Sequence, residues 1–142
     1  LILFCDTSAL VKLYIQEDAS DVMTMLADSA SAIAVCRIAW AESMAALARR
    51  ARENPADAEM IEAVRARFCT DWPGYAIVEV TQALVELAGE YADTFSLRGY
   101  DSVQLAAARI VQQAAGEELH FACFDSRLKR SARVLGMRSV VA

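Results

Sequence analysis

Leu1-Ile2-Leu3-Phe4-Cys5-Asp6-Thr7-Ser8 opens the chain with five apolar residues that stop at a carboxylate and two hydroxyls. A short, continuous apolar run bounded by polar residues reads as a strand buried on both faces. Thr7 and Ser8 follow the acid as a helix-start sequence, because either hydroxyl can accept a hydrogen bond from the free N–H groups of a first turn. The stretch therefore predicts a buried strand that hands over to a helix, with Asp6 at its carboxyl end.

Four further runs repeat the pattern: Ala32 to Cys36, Tyr75 to Val80, His120 to Phe124 and Arg138 to Val141. Between them the apolar spacing becomes helical, over Ser8 to Ile15, Asp18 to Asp28, Ile38 to Glu53, Ala56 to Asp71, Thr81 to Phe95, Asp101 to Ala115 and Ser126 to Leu135. Asn54-Pro55 separates two of these helices as a turn. Each gap between successive strands is long enough for a crossover, which predicts an α/β fold with a parallel sheet and helices on both faces. The pair from Ile38 to Asp71 carries Arg49, Arg50, Arg52, Arg65 and Arg67 and is expected to protrude as an arm. No repeat, linker or low-complexity tract divides the chain, so residues 1–142 are read as a single domain.

Of the 142 residues 56% are apolar, enough for one buried core. No apolar stretch is long enough to span a bilayer or serve as a signal-peptide core, and a soluble, cytoplasmic protein is expected. Position 1 is Leu, so at least one native residue is expected to precede it. Cys5, Cys36, Cys69 and Cys123 lie far apart, in neither a redox nor a zinc pattern, and read as small core residues. The net charge of −5 looks wrong for a phosphate binder, but it is unevenly spread. Residues 1 to 36 set five acids against Lys12, whereas residues 98 to 142 set seven Lys or Arg against four acids.

Ligands of open parallel sheets bind beyond the carboxyl ends of the strands. Asp6 and Asp125 close two apolar runs there, Glu42 follows the second run by about a turn, and Asp101 opens a helix after Ser96-Leu97-Arg98-Gly99. These four carboxylates are expected to meet in one pocket. Like charges brought together repel, and a hard divalent cation removes the repulsion. An all-oxygen set suits Mg²⁺ or Mn²⁺, which can activate a water for in-line attack on a phosphodiester. His120, at the start of a strand, is expected to lie away from this edge. Thr7 and Ser8 can fix the Asp6 carboxylate or simply cap the helix. Asp101 and Asp125 could likewise be acids drawn to helix N-termini. Glu42 lies between Ile38-Ala39-Trp40-Ala41 and Met44-Ala45-Ala46-Leu47, where a buried carboxylate needs a partner, so it is the most informative of the four. Arg98, Arg127, Lys129, Arg130 and Arg133 are the candidate contacts to a phosphodiester backbone, with a solvated helix face as the plainer account.

Asp6-Thr7-Ser8-Ala9-Leu10-Val11-Lys12-Leu13-Tyr14 resembles the opening motif of PIN-domain proteins, particularly the VapC-type toxins. Trp40-Ala41-Glu42, Asp101-Ser102-Val103-Gln104-Leu105-Ala106 and Phe124-Asp125-Ser126-Arg127-Leu128 resemble the family's later acidic motifs, and Ala132-Arg133-Val134-Leu135-Gly136-Met137 fits its close. The resemblance spans essentially the whole chain. It implies a three-layer sandwich around a five-stranded parallel sheet, a Mg²⁺ or Mn²⁺ site, endonucleolytic cutting of RNA, a cognate VapB-like antitoxin and a homodimer. Two positions depart from the pattern. Ser102 stands where Ala is more usual, and Cys123 where many relatives carry a hydroxyl, which weakens the case for a second metal more than for the first. A catalytically weak module that binds RNA or a protein partner is the alternative. An aspartate-phosphorylated domain with Asp6 as nucleophile fits less well: the dehalogenase-like version expects an Asp where Ser8 stands, and a receiver expects acidic residues before its nucleophile.

Overall fold

The first strand, β1 (Ile2–Cys5), lies at the centre of the sheet because Leu3, Phe4 and Cys5 are fully buried and need cover on both faces. In the computed structural model, which describes residues 1–140, it pairs in parallel with β2 (Ala32–Cys36) on one side and β4 (Leu119–Ala122) on the other. The edge strands β3 (Ala76–Val78) and β5 (Arg138–Ser139) complete a five-stranded sheet of order β3-β2-β1-β4-β5, all parallel. The last run of the sequence extended to Val141, which lies outside the described residues.

Alternate residues of the strands feed two cores. Leu3, Cys5, Val35 and Ala122 join α1 (Thr7–Val11), α2 (Ser20–Ser29), α3 (Ala39–Glu53) and α4 (Ala58–Asp71) on one face. Phe4, Ala34, Cys36, Phe121 and Cys123 join α5 (Gln82–Phe95), α6 (Gly99–Ala114) and α7 (Ser126–Val134) on the other. The period-2 alternation of a strand thus builds a three-layer sandwich. Stacking of Phe4 on Phe121, 5.5 Å between ring centroids, ties the two central strands within the second core.

Several element ends differ from the sequence reading. Helix α1 stops at Val11 rather than Ile15. The N–H groups of Leu13 and Tyr14 bond back only three residues, to Leu10 and Val11, and the Tyr14 hydroxyl is drawn to Asp71 and Tyr75. Helix α2 begins at Ser20, not Asp18, because Ala19 adopts a left-handed conformation and Ser20 Oγ accepts from Glu17 N–H while donating to the Ile15 carbonyl. In the α3/α4 pair, Leu47, Ile61, Val64 and Phe68 pack into the first core, while the connecting tip around Asn54 and Pro55 is exposed. Cys5, Cys36 and Cys123 are buried as expected, but Cys69 is exposed, on the outer face of α4.

Candidate active site

In the order β3-β2-β1-β4-β5 the chain leaves β1 toward one edge of the sheet and leaves β4 toward the other. The carboxyl ends of β1 and β4 therefore flank the point where loops diverge and a crevice opens. Asp6 directly follows β1, and its N–H donates to the Ala122 carbonyl of β4 at 3.1 Å, which holds the two strand ends together beneath the crevice. Asp125 follows β4 after Cys123 and Phe124 and caps α7, accepting the Leu128 N–H at 2.9 Å.

Asp6, Glu42, Asp101 and Asp125 all line one cleft of about 440 Å³, together with Thr7, Ser8, Arg98, Tyr100, Gln104 and Phe124. The acids are graded in depth: Asp6 is buried at the floor, Glu42 and Asp101 are half-buried, and Asp125 is exposed at the mouth. Sharing a cleft is not convergence on a point. Among the described residues no three His, Cys, Asp or Glu side chains are gathered tightly enough to hold a metal ion as they stand. Like charges repel, and three of the four acids are drawn to neutral donors instead.

Those donors can be named. Asp6 Oδ1 accepts from Ser8 Oγ at 2.7 Å and from the Ala9 N–H at 2.9 Å, so it is the cap of α1 as well as the floor of the cleft. Glu42 Oε1 accepts from Thr7 Oγ1 at 2.7 Å and from Gln104 Nε2 at 3.1 Å. Asp101, in the first turn of α6, accepts no side-chain hydrogen bond among the described residues. The helix-end account thus explains one oxygen of Asp6 and one of Asp125. Asp101 and Glu42 also lie in the first turns of their helices, but that account does not explain the two side-chain donors gathered on Glu42.

The electrostatics record a crowded anionic site. Burial pushes the Asp6 carboxyl up to about 6; bonds from Ala9 and Ser8 pull it down, and the charges of Asp101 and Glu42 push it up again. Asp101 is raised by burial first, then by Asp125 and Glu42, against the opposing charge of Arg98. This donor set fits a hard divalent cation. The acids offer only oxygen, and each has at least one carboxylate oxygen to which no protein group donates among the described residues. Cys123 stays out of the cleft: its thiol faces the Asp125 carbonyl at 3.8 Å, and burial pushes it up to about 12.

The basic candidates divide. Arg98, Arg127 and Arg130 line a second, polar cleft of about 270 Å³ that shares Asp101 and Asp125 with the first. Arg127 Nη1 also donates to the Ser96 carbonyl at 3.0 Å. Lys129 lies over the Phe124 ring, 5.9 Å from its centroid, and Lys12 lies over the same ring at 4.8 Å. Arg133 donates instead to Ser139 Oγ at 2.7 Å and lines neither cleft. His120 pairs with Glu118 at the opposite end of β4, as expected.

Sequence reasoning missed Gln104, Tyr100 and Phe124 as lining residues, although all three adjoin the acids it chose. A signal existed for Gln104: it lies three residues after Asp101, and so on the same helix face, among Leu and Ala.

The profile of the PIN domain matches residues 3–134. Ribonuclease VapC45 and ribonuclease VapC49 of Mycobacterium tuberculosis are each 34% identical to the chain over 138 residues, 96% of this chain and 93% of theirs. A toxin-antitoxin complex from Klebsiella pneumoniae contains a chain of the same fold, with a TM-score of 0.64 and 17% identity over 89% of this chain and 88% of that one.

Proposed function

Because the chain belongs to the PIN-domain family, we propose that it is a Mg²⁺- or Mn²⁺-dependent endoribonuclease, the toxin of a toxin-antitoxin pair. One observation carries the reading. Four carboxylates from four separate parts of the chain line one cleft at the divergence point of the sheet, in a protein 34% identical over nearly its full length to two ribonucleases.

Asp6, Glu42 and Asp101 would hold the cation, with Asp125 beside them at the mouth. When bound, it supplies charge for a phosphate oxygen and lowers the pKa of a water for attack on phosphorus. The protein's own contribution is orientation. Ser8 and the Ala9 N–H fix Asp6 through Oδ1, and Thr7 and Gln104 fix Glu42 through Oε1, leaving the second oxygen of each to the cleft. Arg98, Arg127 and Arg130, which line the cleft beside the acids, would hold phosphates of the RNA, with Lys129 next to Phe124 as a further candidate; Arg133, engaged with Ser139, is the weakest of the five. An antitoxin and a second copy of the chain are the partners this reading expects. The structural relative that is itself a toxin-antitoxin complex supports the first.

The test is cleavage of defined RNA oligonucleotides by purified protein with Mg²⁺ or Mn²⁺, with EDTA, and by Asp6→Asn. Undiminished cleavage by folded Asp6→Asn protein would remove the site. Binding without any cleavage would return the reading to a binding module.

A further inference from the structure

Gln104 is 3% exposed on α6, next to Leu105, Ala106, Ala107 and Ala108, which are fully buried. Its Nε2 lies 3.1 Å from Glu42 Oε1 and 3.5 Å from Thr7 Oγ1. The Thr7 hydroxyl hydrogen is directed at Glu42, so the amide can meet both oxygens only with its NH₂ group. Turned over, it would set a carbonyl against a carboxylate. The orientation is therefore fixed by chemistry and leaves the amide's own Oε1 buried with no donor among the described residues. A side chain needed only to fill this helix face would be apolar, since an unpaired buried acceptor is costly. Gln104 instead sacrifices its acceptor to place two donors at the cleft.

From this geometry we infer that Gln104 is a positioning residue for the proposed cation site, an inference that rests on the functional reading above. With Thr7 it saturates one oxygen of Glu42, locks the carboxylate's rotation and presents the other oxygen to the cation. The clamp joins α1 and α3, from one face of the sheet, to α6, from the other, across the carboxyl edge. Partners that orient metal ligands in this way typically change metal affinity or activity by roughly 10- to 100-fold when removed.

The experiment uses Gln104→Met, similar in length and without a donor, on the full chain. Three quantities are read: the thermal midpoint of metal-free protein, Mn²⁺ affinity by calorimetry, and kcat and KM on an RNA oligonucleotide. The expected result is a midpoint close to wild type, because removal of the unpaired carbonyl offsets loss of the donor to Glu42. Mn²⁺ binding should weaken roughly tenfold, and kcat should fall by about 10- to 100-fold with KM nearly unchanged. A lowered midpoint with wild-type Mn²⁺ affinity and kcat in the folded protein would make Gln104 structural and overturn the inference. Should Gln104→Met not fold, Gln104→Asn, one methylene too short to reach Glu42, is read the same way against the same outcomes. Wild-type protein that binds Mn²⁺ yet cuts no RNA would sink the functional reading alone, and the affinity comparison would still judge Gln104.

Discussion

The Thr7 hydroxyl donates to Glu42 Oε1 at 2.7 Å, joining the residue after the first strand's acid to an acid thirty-five positions later. A carboxylate in the apolar first turns of α3 would be costly without a donor, and this bond is half of the answer. Thr7→Val keeps the shape and removes the donor. A hydrogen bond to a charged group is worth about 1.5–3 kcal/mol, so cleavage should slow by roughly tenfold or more. Thr7→Ser should retain most of the rate. Single-turnover kinetics compare the three, and equal rates for Thr7→Val and wild type would show that Glu42 needs no such support.

Asp6 makes stability depend on pH in a direction opposite to that of a paired acid. Its carboxyl rises from an ordinary 3.8 to about 6 on folding, mainly through burial. Between these values the folded state binds the proton that the unfolded chain has released. The favourable contribution is therefore full below the unfolded value and is lost as pH rises through about 6. The gap corresponds to on the order of 3 kcal/mol. Metal-free protein should lose stability to urea between about pH 4 and pH 7, whereas Asp6→Asn, which keeps the α1 cap, should show a flatter profile. Parallel profiles for the two proteins would reject burial of Asp6 as the cause.

The fold was legible because its signals are local: each apolar run meets a turn or an acid, and the two faces of β1 demand two cores. Strand ends were less legible. Tyr75 to Val80 shrinks to Ala76–Val78 because β3, at the edge, has a hydrogen-bonding partner on one side only. The acids were legible from their place after strands, but their partners were not. Gln104 and Glu42 are 62 positions apart, and only packing of α6 against β2 and the strand ends brings them together. Arg133 shows the converse. A basic run on α7 reads as one surface in sequence, but the helix turns one member away to Ser139.

Asp101→Asn should separate activity from stability. Among the described residues no side chain donates to Asp101, and its carboxyl is raised by burial and by Asp125, so its charge opposes folding. The neutral amide relieves that repulsion and holds a cation poorly. Cleavage should fall by orders of magnitude, as it should with EDTA, while the thermal midpoint at neutral pH stays level or rises. A destabilised variant with normal cleavage per folded molecule would place Asp101 outside the reaction.

The last prediction concerns how RNA is held. Arg98, Arg127 and Arg130 surround a polar cleft that adjoins the acids through Asp101 and Asp125. Phosphates gripped there would run a strand past the carboxylates, with positive charge compensating an anionic site in a chain of net charge −5. Binding to a single strand through Z phosphates weakens with salt along a log-log slope of about −0.7Z, so each true contact removed should flatten the slope by about 0.7. Arg98→Ala and Arg130→Ala should each do so, measured by fluorescence anisotropy with Asp6→Asn protein to prevent cleavage. Arg127→Ala should do so too, with an added loss from freeing the loop that its guanidinium ties to the Ser96 carbonyl. Arg133→Ala serves as the internal control, because its guanidinium is engaged with Ser139 and lines neither cleft. A slope unchanged after removal of Arg98, Arg127 and Arg130 together, or one that responds to Arg133 alone, would move the RNA path off this cleft.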